Sequence, residues 1–181
     1  MLDLKETDTV LDTYCGVGTI GLTMTDSCKK VMGVEVNPDA IENAKYNAKQ
    51  NKIKDIEFVA MDSTEFMRQA RKYHNHYDAI IMDPPSYGRG PKGEIWKIEE
   101  KIFPLVQLCT KVLADKPLFF LINSYTTGLQ PAVLSYMLNL EIKSRFGGTV
   151  EADEIGLPVR GKQGLVLPCG ASGRWSRKER E

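Results

Sequence analysis

The chain has 181 residues, 42% hydrophobic and 27% charged, with 24 basic residues balancing 24 acidic ones. That length predicts one domain, 1–181, with a substantial buried core, and zero net charge leaves any nucleic-acid binding to local patches. No apolar leader or membrane-length run is present and the cysteines (Cys15, Cys28, Cys109, Cys169) form no C-x-x-C pair, so the expectations are free thiols, no metal site, no membrane and a cytoplasmic location.

Apolar runs alternate with amphipathic stretches along the chain. TVLDTYC (9–15) reads as a buried strand running into glycines, and GTIGLTMTD (18–26) as the first helix. KKVMGVEV (29–36) is the second strand. Asn37 then reads as an N-cap, with Pro38 at the first helical position of PDAIENAKYNAKQNK (38–52). IEFVAMD (56–62) is strand three, TEFMRQARKYH (64–74) a helix, and YDAIIMD (77–83) strand four, stopped by Pro84 and Pro85. KIEEKIFPLVQLCTKVL (97–113) is an amphipathic helix with a kink expected at Pro104. PLFFLINSY (117–125) is a buried fifth strand and LQPAVLSYMLNL (129–140) a helix. The end differs, because TVEADEIGLPV (149–159) and GLVLPCGASGRW (164–175) read as a hairpin joined by RGKQ. Strand–helix alternation closed by a hairpin predicts an α/β, doubly wound, mostly parallel seven-stranded sheet with an antiparallel C-terminal strand.

In such a sheet ligands lie beyond the carboxyl ends of the strands, and the loop Tyr14, Cys15, Gly16, Val17, Gly18 falls there. With Gly21 it forms G-x-G-x-x-G, whose glycines allow a tight turn and close backbone approach. Glu35 ends strand two, 19 residues after Gly16, where a carboxylate can bond both ribose hydroxyls. To this point NAD and S-adenosylmethionine fit equally, since each presents an adenosine. Two further acids follow. Asp62 closes strand three, placed either for an adenine amino group or as a cap of the next helix. Asp83 opens DPPSY, where a carboxylate, two rigid prolines and Tyr87 share the mouth of the sheet.

Four acids ending successive strands (Asp12, Glu35, Asp62, Asp83), with a glycine loop after the first and D-P-P-aromatic after the fourth, resemble the class I S-adenosylmethionine-dependent methyltransferases. The resemblance implies the Rossmann-like fold of that family and S-adenosylmethionine as cofactor. It implies Asp12, Gly16 and Gly18 at the methionine end, Glu35 on the ribose and Asp62 on the adenine, with Val36, Ile56 or Met61 walling the ring. It also implies Asp83, Pro84, Pro85 and Tyr87 as the acceptor pocket, with Asn123, Ser124 and Tyr125 nearby, and Tyr14, Cys15 and Asp83 beside the cofactor as well.

The resemblance then divides. Residues 1–83, through DTYCGVGTIGL, GVEVNPDAIENAKYNAKQN and FVAMDSTEFM, are most similar to catalytic domains of RNA uracil-5-methyltransferases. Residues 84–181, through LPVRGKQGLVLPCGASGRW, resemble large-subunit rRNA-type methyltransferases, so a mosaic joined near 80–90 is expected. Carbon-5 methylation requires attack at carbon 6, normally by a thiolate, and INSYTTG holds no cysteine where that family places its nucleophile. Cys169 reads as a buried small apolar residue. Direct transfer to a base nitrogen of RNA is therefore the expected reaction, and a cofactor-binding scaffold without turnover is the alternative. An NAD-dependent oxidoreductase fits less well, given DPPSY and no catalytic histidine or tyrosine–lysine pair. For RNA, the sequence offers two mixed patches, Arg89, Lys92, Trp96, Lys97 and Lys101, and Arg174, Trp175, Arg177, Lys178 and Arg180. The chain starts almost at strand one, without the N-terminal RNA-binding domain such relatives carry, which sets an expectation of low substrate affinity.

Overall fold

A computed structural model of the protein describes residues 4–90, 93–161 and 164–177. Its strands are β1 (Thr9–Asp12), β2 (Lys30–Glu35), β3 (Ile56–Ala60), β4 (Ala79–Met82), β5 (Tyr87–Arg89), β6 (Ile95–Lys97), β7 (Phe119–Ser124), β8 (Thr149–Pro158) and β9 (Val166–Ser176). Seven of them form one sheet in the order β3-β2-β1-β4-β7-β9-β8, and β5 pairs only with β6. β3, β2, β1, β4 and β7 are parallel neighbours, while β9 runs antiparallel between β7 and β8. The α/β architecture, the parallel sheet and the antiparallel last strand are as expected from the sequence.

The helices are α1 (Thr19–Met24), α2 (Pro38–Gln50), α3 (Ser63–Lys72), α4 (Ile98–Cys109), α5 (Pro131–Leu138) and α6 (Ser144–Phe146), with a π-helical turn at Asn139–Lys143. Asn37 caps α2 as its position implied, its side chain accepting the Asp39 amide at 2.9 Å. Period-two alternation divides the strands between two cores. Leu11, Ile80, Met82 and Phe120 face one side with α3, α4 and α5, whereas Val10, Ala79, Ile81 and Phe119 face the other with Ile20 and Met24 of α1. β4 is buried along its whole length, as a central parallel strand must be.

The structure departs from the sequence reading in four places. α4 runs through Pro104 but stops at Cys109 rather than Leu113, because the chain turns there so that Tyr77 and Leu113 can bridge. The segment between Pro85 and the helix, for which the sequence reading gave no strand, contains the β5–β6 arm. Trp175, expected in a surface patch, is fully buried, because β9 turns it onto the core beside Phe146. Cys169, expected inside, is exposed, since β9 before Ala171 runs past the end of β7 and has only β8 beside it.

Candidate active site

Every parallel strand points its carboxyl end the same way, so the segments after β1 to β4 and β7 share one rim of the sheet. A cavity of about 350 Å³ lies at that rim, within the size range of small-molecule sites. Glu35, Asp62 and Asp83 line it from three successive strand ends, and Tyr14, Trp96 and Tyr125 supply its aromatic surface.

The glycine loop follows β1 at the same rim and reaches the cavity through Tyr14. Gly16 and Gly18 have φ of 52° and 86°, values that side chains disfavour. A Cβ at Gly16 would meet nothing within 4 Å, so its backbone borders open space. At Gly18 a Cβ would stand 3.1 Å from the Phe58 ring, so this glycine answers both to φ and to packing. The third glycine, Gly21, lets α1 lie against Val31 and Ile56. Cys15 N donates to Val34 O at 3.0 Å and Asn47 Nδ2 to Val17 O at 3.1 Å, which tie the loop to β2 and α2.

The four acids differ in their settings. Glu35 closes β2, and its Oε1 accepts the Asn37 amide at 2.9 Å, which orients the carboxylate. Asp62 lies two residues past β3 and caps α3 by accepting the Glu65 amide at 3.0 Å, so the capping role is real while its carboxylate still borders the cavity. Asp83, one residue past β4, is half-buried, and burial raises its pKa above the ordinary carboxylate value. Asp12 is 1% exposed, and its Oδ2 has no hydrogen-bond partner among the described residues. Burial pushes its pKa up to about 6; the Gly21 and Tyr14 backbones oppose that rise, while the negative charges of Asp83 and Glu35 add to it.

Of the expected cofactor residues, Tyr14, Glu35, Val36, Asp62 and Asp83 meet at the cavity, whereas Asp12, Cys15, Gly16 and Gly18 are not among the described residues that line it. Ile56 is the first residue of β3, at the opposite end of the strand, and packs into the α1-side core, so it cannot wall a ligand at this rim. Met61 packs on the other core. Of the expected acceptor residues, Asp83 and Pro85 line the cavity, whereas Pro84 is buried and sets the rigid turn.

Tyr87, 53% exposed, pairs with Lys97, and its arm neighbour Gly88 pairs with Trp96. Alternation along the strand therefore puts Tyr87 on the outer face and Trp96 on the cavity face. Trp96 is the residue that pattern reading undervalued. Its Nε1 donates to Pro85 O at 2.6 Å, and its ring meets Tyr14 at 5.7 Å between centroids and 53° between planes. Ser124 is buried and accepts the Thr126 amide, so it supports the wall instead of facing the cavity. Arg174 is paired with Glu151, and the expected patch residues Lys92, Lys178 and Arg180 fall outside the described residues.

A mostly parallel seven-stranded sheet of this order with β9 antiparallel, a glycine loop after its first strand and three carboxylates around one cavity define the Rossmann-like methyltransferase fold. The chain belongs to the methyltransferase domain family, whose model, described as "Methyltransferase domain", matches residues 4–125. Among curated proteins, it is 44% identical over 81 residues to an uncharacterized RNA methyltransferase of Clostridium acetobutylicum, covering 45% of this chain and 18% of that protein. It is 35% identical over 88 residues to a 23S rRNA (uracil(1939)-C(5))-methyltransferase of Legionella pneumophila, covering 49% of this chain and 20% of that one. The chain thus spans about a fifth of the length of these relatives. Among solved structures, a SAM-dependent methyltransferase from Agrobacterium tumefaciens superimposes with a TM-score of 0.85 at 23% identity, over 94% of this chain and 56% of that one.

Proposed function

We propose that this domain transfers a methyl group from S-adenosylmethionine to a base nitrogen of RNA. The observation that carries the reading is the convergence of Glu35, Asp62 and Asp83 on one cavity, which Tyr14 of the glycine loop also lines. The residues fit the cofactor. Gly16 leaves open space where a Cβ would stand, the oriented Glu35 carboxylate suits a ribose diol, and Val36 offers an apolar contact beside Asp62. The buried, unpartnered Asp12 Oδ2 suits a cationic neighbour at the methionine end.

When bound, the cofactor supplies a methyl group already activated by its sulfonium. The chain's own task is to bring an acceptor amine into line, which is where positioning lowers the barrier most. Asp83 orients the N–H and takes the proton that the nitrogen releases on methylation; its raised pKa suits that second role. Pro84 and Pro85 fix the carboxylate by restricting the backbone beside it. The two RNA methyltransferase relatives support RNA as substrate. Carbon-5 chemistry is disfavoured here, because no cysteine lines the cavity among the described residues and Cys15 and Cys109 are buried with thiols pushed upward in pKa.

Calorimetric titration with S-adenosylhomocysteine, followed by methyl transfer from labelled cofactor to bulk RNA, tests the reading. The expected result is micromolar binding, weakened about 100-fold by Glu35→Ala through loss of a charge-assisted bond pair. Asp83→Asn should leave that binding within about three-fold and abolish transfer. Binding of NAD in place of S-adenosylhomocysteine would reject the reading, and binding without transfer would reject its acceptor half.

A further inference from the structure

We infer that the β5–β6 arm grips one unstacked nucleotide of single-stranded RNA, with the Trp96 indole as the wall for its base and Arg89 as the contact for its phosphate. This rests on the methyl-transfer reading above and names the part of the site that selects its acceptor.

The Trp96 ring is held on two sides before any ligand arrives. Its N–H is fixed to the Pro85 carbonyl at 2.6 Å and its ring leans on Tyr14 at 5.7 Å. A second tie, Ile98 N to Ser86 O at 3.1 Å, fastens the base of the arm to the same segment, and Ser86 Oγ meets Thr126 Oγ1 at 2.6 Å on its far side. Wall and Asp83 are therefore placed by one rigid strip of backbone. Such preorganisation spares a ligand the cost of ordering the ring.

The cross-strand partner of Trp96 is Gly88, where a Cβ would stand 3.8 Å from Trp96 Cβ and within 4 Å of no other described residue. The position that would normally carry a covering side chain is thus open on the cavity face. Arg89 follows at the exposed end of the same strand; it borders the cavity but shares the outer face with Tyr87, to whose Oη its Nε donates at 3.3 Å. A flat apolar wall, a guanidinium on the adjoining outer face of the arm and a carboxylate within describe a base, a backbone phosphate outside the pocket and an exocyclic amine. A base inside a duplex cannot enter such a pocket, so the nucleotide must leave its stack. Stacking on an aromatic wall and phosphate contact are how single strands are held without sequence readout.

The test measures two affinities on the same proteins: S-adenosylhomocysteine by calorimetry, and a fluorescein-labelled mixed-sequence single-stranded RNA of about 12 nucleotides by anisotropy in its presence. Trp96→Ala should weaken the RNA about ten-fold or more, and Trp96→Phe should recover most of that, because a phenyl ring still stacks. S-adenosylhomocysteine affinity should stay within about three-fold of the parent for both. Arg89→Glu, at an exposed position that does not threaten folding, should weaken the RNA and lower the slope of log affinity against log salt by about one. Equal losses of cofactor and RNA affinity in Trp96→Ala would place the ring on the cofactor and overturn the inference. So would unchanged RNA binding in Trp96→Ala and Arg89→Glu, including the case where methyl transfer proceeds to protein instead. Failure of the parent chain to bind S-adenosylhomocysteine would instead reject the methyl-transfer reading itself.

Discussion

The rim of the sheet is built in two ways. From β1 to β3 its functional groups sit on the strand ends or a residue or two beyond, so the sheet's own hydrogen-bond register positions Asp12, Glu35 and Asp62. After Asp83 the chain leaves the sheet until β7, and this part of the cavity wall comes from β5 and β6, which form a separate two-stranded pair. The first rim inherits its precision from a buried core. The second inherits it from a few contacts, chiefly Trp96 to Pro85 and Ile98 to Ser86. A scaffold divided this way can keep one ligand geometry while its neighbour changes.

The largest test of that contrast concerns Asp12, the most deeply placed group of the first rim. Its pKa in the folded chain, about 6, stands above its ordinary 3.8. The folded state therefore holds a proton that the unfolded chain has already released over that interval. The sign follows: the contribution to stability is whole below about pH 3.8 and is lost as pH rises through about 6. The loss amounts to about 3 kcal/mol from the shift alone. Denaturant titrations at pH 4 and pH 7.5 should show parent stability falling by about that amount relative to Asp12→Asn. The difference between the two pH values is the measurement, because an amide buried at this site carries its own desolvation cost. A flat difference would mean that Asp12 is ionised at no cost, and that the first rim is less tightly closed than its burial indicates.

A smaller effect is expected at Gly18. Alanine there must adopt φ near 86° and bring its Cβ to 3.1 Å from Phe58, so the chain should lose about 1–2 kcal/mol of stability. Thermal or denaturant melting reads this directly. If Gly18→Ala melts like the parent, the loop is not held by the core beneath it, and the contrast between rims fails at its firmer end.

How legible each rim was in the sequence follows the same division. Strand positions, the Asn37 cap and the acids Glu35 and Asp62 were readable because alternation, N-cap chemistry and strand-end placement are local signals. The β5–β6 arm was not, since strands of three residues are too short to show a periodicity. Tyr87 was read as the ring at the mouth because it follows the prolines directly. The register Tyr87–Lys97 and Gly88–Trp96, which no local pattern encodes, turns it outward and Trp96 inward. Trp175 and Cys169 were misplaced for a related reason: their burial depends on where β7 ends beside β9, a long-range fact. Trp96 did leave one signal, a tryptophan set among charged residues, eleven residues after Pro85.

The smallest expected effect is at Gly88, and it bears most closely on the arm's independence. An alanine Cβ there meets only Trp96 Cβ, at an ordinary 3.8 Å, and the backbone does not occupy the left-handed region. The same substitution that costs stability at Gly18 should change it by no more than about 0.5 kcal/mol here. Affinity for S-adenosylhomocysteine should be equally untouched, since the methyl group would project toward the arm's own tryptophan and not toward Glu35 or Asp62. If Gly88→Ala melts early, the arm is fastened to the core more firmly than its few contacts imply. If it melts normally but loses the cofactor, the arm reaches across the cavity, and the two rims act as one.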